Sequence, residues 1–146
     1  MERGPKSASV SRSATDSPAG SEAGLRILLV EDHDDTRRVM KRLLGHMGHA
    51  VTMAGTLAEA LQASRQASFD LVISDLGLPD GSGLELMRQL LEEHQGLRGI
   101  VISGYGMEAD LARSREAGFV AHLTKPIDVE QLERTIARVA DGKLDA

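Results

Sequence analysis

The sequence predicts an α/β fold, a doubly wound parallel sheet of five strands flanked by five helices. Three observations predict it. Short aliphatic runs recur along the chain, unbroken as in strands covered on both faces. Between them lie stretches whose apolar residues fall at helical spacing. The two kinds of segment alternate from Leu25 to about Ala140, and such alternation implies parallel strands with helices on both faces.

The first strand is Arg26-Ile-Leu-Leu-Val30. After Asp34, residues Val39, Leu43, Leu44 and Met47 mark a helix that Gly48 closes. Ala50 to Ala54 reads as the second strand. Thr56 with Glu59 forms a capping box ahead of a helix bearing Leu57, Ala60 and Leu61. Leu71-Val-Ile-Ser74 is the third strand, and Gly77, Pro79, Gly81 and Gly83 make a long turn. Leu84, Met87, Leu90 and Leu91 line the third helix. Gly99-Ile-Val-Ile102 is the fourth strand. A helix with a sparse apolar stripe runs from about Glu108 to Ala117, and Gly118 stops it. Phe119 to Leu123 is the fifth strand. Asp128 and Gln131 cap a last helix carrying Leu132, Ile136 and Val139.

Residues 1–24 are rich in Ser, Ala and Gly, hold two of the four prolines, and read as a disordered tail or linker. The folded domain is expected over 25–141, with a C-terminal tail at 142–146. A net charge of −5 argues against direct nucleic-acid binding, as does an aromatic content of 2%. The absence of cysteine excludes disulfides and thiolate metal sites. No apolar run reaches the ~18 residues of a membrane span, and the N-terminus has no signal-peptide core. The chain is read as cytoplasmic.

In an open parallel sheet, ligands bind beyond the carboxyl ends of the strands. Glu31 and Asp32 follow the first strand and Asp75 the third. Ser103 follows the fourth, and Thr124, Lys125 and Pro126 the fifth. Three carboxylates on one edge repel one another unless a cation is present, and hard oxygen ligands suit Mg²⁺. Lys125 suits a phosphate oxygen, Ser103 can donate to one, and Asp75 can act as a nucleophile. These are the parts of phosphoryl transfer to a carboxylate.

At this point the sequence resembles the receiver domain of response regulators, of the CheY-like kind. The matching segments are Ile27-Leu-Leu-Val-Glu-Asp32, Leu71 to Gly83, Val101-Ile-Ser-Gly104 and Leu123-Thr-Lys-Pro126. The resemblance implies a flavodoxin-like strand order 2-1-3-4-5. It implies that Asp75 is the phosphoacceptor, taking the phosphoryl group from a phosphohistidine of a histidine kinase or histidine phosphotransfer domain. It implies Mg²⁺ as cofactor, held by Glu31, Asp32, Asp75 and the carbonyl of Gly77, with Asp32 the more direct ligand of the acidic pair. Ser103 matches the switch hydroxyl, Lys125 the family lysine, and Lys125–Pro126 a cis peptide. Such a domain catalyses its own phosphorylation and dephosphorylation, and it switches a protein-interaction surface. The Gly-Leu-Pro-Asp-Gly and Ile-Ser-Gly-Tyr-Gly runs resemble receivers of hybrid sensor histidine kinases. The expected state is a monomer or weak dimer, free-standing or part of a larger chain.

The sequence departs from the family in two places. Glu31 stands where the family often has Asp, and His122 occupies the aromatic switch position, as a pH-sensitive element or a surface filler. Tyr105 either closes over the site or faces solvent. Taken singly, the acids also suit a helix start or a turn, and Lys125 also suits a loop. Three alternatives remain: a phosphorylation-independent interaction module, a flavin binder, or a Mg²⁺-dependent phosphohydrolase. The last commonly needs a second acid where Gly77 stands.

Overall fold

The structure is a computed structural model and describes residues 24–104 and 111–142. Tyr105, the expected start of the fourth helix at Glu108, nearly all of the N-terminal tail, and residues 143–146 lie outside the described residues.

The five expected strands form as β1 (Arg26–Val30), β2 (Ala50–Ala54), β3 (Leu71–Asp75), β4 (Arg98–Ser103) and β5 (Ala121–Thr124). They make one sheet in the order β2-β1-β3-β4-β5, and every pairing is parallel. The helices between and after them are α1 (Asp34–His46), α2 (Leu57–Gln66), α3 (Gly83–Glu93), α4 (Leu111–Ala117) and α5 (Val129–Ala140). The order reverses between β1 and β3, so the strand ends there open a crevice.

Side chains of a strand alternate between its faces, and the sheet uses both. Leu28, Val30, Val72 and Val101 pack with Leu86, Met87 and Leu90 of α3 and Ala60 of α2. Ile27, Leu29, Ile73, Ile100 and Ile102 pack with Met40 and Leu44 of α1 and Leu132, Ile136 and Val139 of α5. Full burial of each such side chain contributes about 1.5–3 kcal/mol. That is why Ile27–Val30 of β1 and Leu71–Ile73 of β3 are wholly apolar, with polar Ser74 and Asp75 appearing only where β3 reaches the sheet edge.

The starts of α2, α3 and α5 are capped by side chains. Thr56 Oγ accepts the amide of Glu59 at 3.0 Å, while the Glu59 carboxylate reaches back to Gly55 at 2.8 Å. Asp128 accepts the amides of Glu130 and Gln131. Ser82 accepts that of Glu85. Gly48, just past α1, has φ +96°, and Gly118, just past α4, has φ +118°; both are left-handed positions that favour glycine.

Three details differ from the sequence reading. Val39 does not face the core: it is 54% exposed, and Met40 takes the buried position one turn before Leu44. Leu86, which the helical spacing passed over, joins Met87 and Leu90 as a fully buried residue of α3, while Leu84 and Leu91 pack against that core partly buried. The fifth strand starts two residues late, because Phe119 is spent plugging the core beside Ala117, with its amide bonded to Ser114 O. The long turn after β3 is a small hairpin, with Gly77–Leu78 antiparallel to Gly81–Ser82. Among the described residues, no helix is long and apolar enough to cross a membrane.

Candidate functional site

The acidic residues meet where β1 and β3 end side by side. Strand register pairs Val30 with Ser74, which sets Glu31 beside Asp75. Glu31 is fully buried, and Asp75 is 8% exposed. Lys125, just past β5, reaches back across the sheet edge. Its Nζ donates to Asp75 Oδ2 at 2.8 Å and lies 3.2 Å from Glu31 Oε1. The second contact has ion-pair distance without hydrogen-bond alignment, so Glu31 Oε1 is a buried oxygen with no hydrogen-bond donor of its own. The other oxygen, Oε2, accepts the His33 amide at 3.0 Å and faces His33 Nδ1 at 2.9 Å. Arg37 donates to the Glu31 carbonyl at 2.7 Å and pairs with Asp34, fastening this turn to α1.

Charge and burial perturb the group. Burial pushes the Asp75 carboxyl up from its ordinary value, and the charge of Glu31 adds to that; the Lys125 ammonium opposes them and does not cancel them. Burial acts on Glu31 in the same direction. There the His33 amide and imidazole, with the Lys125 charge, outweigh it and hold the carboxyl low. Burial alone would lower the Lys125 ammonium, but its hydrogen bond to Asp75 and the negative charges of Asp75 and Glu31 hold it above the ordinary lysine value.

Glu31, Asp32, His33 and Asp75 each offer a ligand atom, and these atoms all lie within 4.8 Å of one another. Three carboxylates face one ammonium, and one buried oxygen lacks a donor. This oxygen-rich, net-negative set fits a hard divalent cation such as Mg²⁺.

The remaining expected residues fall around this centre. Ser103 is the buried last residue of β4, and its carbonyl accepts the Lys125 amide at 2.9 Å. Gly77 is exposed in the hairpin just after Asp75. The Lys125–Pro126 peptide is cis. His122 stands apart: it registers with Val101 in mid-strand and lines a recess with Leu111, Ser114 and Arg115. Sequence reasoning passed over His33, which a run of acids at 31–35 hides, and Asp80. The Asp80 carboxylate bonds the amides of Leu57 and Ala58 in α2, more than twenty residues away, a contact that no local pattern signals.

A doubly wound sheet in this order, with clustered acids and a lysine at its carboxyl edge, defines a receiver module of two-component signalling. Residues 27–137 match the family model of the response regulator receiver domain, and the chain belongs to that family. It is 32% identical over 112 residues to the response regulator protein PilR of Pseudomonas aeruginosa, an alignment covering 77% of this chain and 25% of PilR. It is 36% identical to the sensor histidine kinase AruS of the same organism, over 84% of this chain and 13% of AruS. The chain thus spans a quarter or less of these two relatives. A CheY-like receiver domain protein from Methanospirillum hungatei superposes with a TM-score of 0.77 at 29% identity, covering 82% of this chain and 96% of that one.

Proposed function

We propose that Asp75 accepts a phosphoryl group from a phosphohistidine of a histidine kinase or phosphotransfer domain. The observation that carries this is the Asp75 carboxylate, buried at the end of β3 and held by the Lys125 ammonium at 2.8 Å. A carboxylate oxygen attacks phosphorus as the bond from phosphorus to the imidazole nitrogen breaks. The electron pair leaves on that nitrogen, which takes a proton from solvent, and an acyl phosphate remains. Lys125, already on Asp75 Oδ2, then holds a phosphoryl oxygen, and Ser103 donates to another. Asp32, Asp75 and the Gly77 carbonyl, with Glu31 beside them, would hold Mg²⁺, which when bound neutralises the phosphoryl oxygens.

Phosphorylation adds about −1.5 to −2 charges. The bond between the Lys125 amide and the Ser103 carbonyl supports a relay from that charge into β4 and β5, and so to a partner surface on α4, β5 and α5. Similarity to AruS supports a receiver that works within, or beside, a hybrid kinase. The test is labelling by acetyl phosphate. Labelling should require Mg²⁺, stop in excess EDTA, and fall further in Asp32→Ala than in Glu31→Ala. Undiminished labelling in EDTA would overturn the metal-dependent reading.

A further inference from the structure

We propose that Asp80 is a positioning residue for the metal: it pins the hairpin bearing the Gly77 carbonyl to the start of α2. This rests on the reading of Gly77 as a metal ligand. Gly77 has no side chain to anchor it. It is exposed, and a β-carbon added there would meet nothing within 4 Å. Its carbonyl therefore takes its position from the hairpin around it.

That hairpin is held at three points. At its base, the Leu76 amide bonds Ile102 O at 2.9 Å, and the Gly83 amide bonds Leu76 O at 2.7 Å. Across it, Gly77 pairs with Ser82 and Leu78 with Gly81. At its tip, both Asp80 oxygens are used: Oδ1 accepts the Leu57 amide at 2.8 Å, and Oδ2 accepts the Ala58 amide at 3.1 Å. Those two amides are helix-end donors with no partner inside α2. The tip also lies close against Leu57, since a β-carbon on Gly81 would come within 3.0 Å of its Cδ2. A two-residue ladder is a weak device by itself. The bidentate cap is what ties the tip to a helix packed on the core.

The same helix end supplies the control. Thr56 caps α2 through the Glu59 amide, a bond that stays within the helix end and does not cross to the hairpin. Loss of either cap loosens α2, but only loss of Asp80 frees Gly77. Amide NMR titration with Mg²⁺ separates the two roles without reading phosphorylation. Asp80→Ala should weaken Mg²⁺ binding about tenfold, the low end for residues that orient metal ligands. Thr56→Ala should bind Mg²⁺ as the parent does. Asp80→Asn keeps one acceptor oxygen and should lie between; it carries the test if the alanine variant does not fold. Parent-like affinity in a folded Asp80→Ala, or equal weakening in Thr56→Ala, would reduce Asp80 to a helix cap and overturn the inference. If Asp80→Ala does not fold, parent-like affinity in Asp80→Asn does the same. A parent protein without Mg²⁺-dependent shifts around Asp75 would instead overturn the metal reading, and this inference with it.

Discussion

Gly83 opens α3 directly beneath the end of β3, and replacing it by alanine tests how tightly the acceptor is seated. A β-carbon there would lie 2.4 Å from the Asp75 carbonyl oxygen and 3.1 Å from Ser74 Oγ. Close carbon–oxygen contacts settle at about 3.3–3.6 Å, so the two segments must part by about 1 Å. Neither yields easily. The amide of Gly83 is bonded to Leu76 O at 2.7 Å, and α3 seats Leu86, Met87 and Leu90 in the core. A contact of 2.4 Å on backbone belongs at the upper end of overpacking costs, about 2–3 kcal/mol, and the better helix propensity of alanine offsets at most about 1. The net loss is about 1–2 kcal/mol, or a thermal midpoint about 4–8 °C lower for a domain of this size. Gly45→Ala is the comparator: it lies within α1, nothing stands within 4 Å of its added carbon, and it should gain about 0.5–1 kcal/mol. Thermal unfolding followed by circular dichroism reads both. A Gly83→Ala protein as stable as the parent would refute the close approach of α3 to Asp75.

Other predictions test packing, charge and pH. Leu86→Ala, at a fully buried site, should cost about 2–5 kcal/mol in urea unfolding, whereas Val39→Ala, 54% exposed, should stay within about 0.5. Lys125→Ala removes the ammonium between Asp75 and Glu31, and acetyl phosphate labelling should slow about a hundredfold. His49 accepts the Leu25 amide through Nδ1, and burial holds its imidazole below the ordinary value of 6.5. The unfolded chain then binds the proton more readily, so stability is full above pH 6.5 and falls as pH drops through that value toward the lowered one. His49→Gln should flatten that slope, and an unchanged slope would count against the buried, neutral imidazole.

The sheet was legible because strands covered on both faces leave unbroken aliphatic runs, as in β1, β3 and β4, and even the largely exposed edge strand β2 begins and ends at the predicted residues, Ala50 and Ala54. The edges of elements were less so. Phe119 looks like strand, but the bond from its amide to Ser114 O and the turn at Gly118 keep it in the connection. Helical spacing admitted Val39 as well as Met40, since the two differ by a rotation about the helix that only the sheet decides. The site was legible as strand ends, which is how Asp75, Glu31 and Lys125 come together. His33 and Asp80 were not: Asp80 bonds two amides more than twenty residues away, and the His33 contacts with Glu31 depend on how the chain turns at the end of β1.

The central claim is that the carboxylate of Asp75 becomes an acyl phosphate. The direct measurement is incubation with acetyl phosphate and Mg²⁺, borohydride trapping of the acyl phosphate, and peptide mapping. Trapped label should fall on Asp75 alone and vanish in Asp75→Asn while the fold persists. Label on another residue, or undiminished labelling of the Asn variant, would contradict the account.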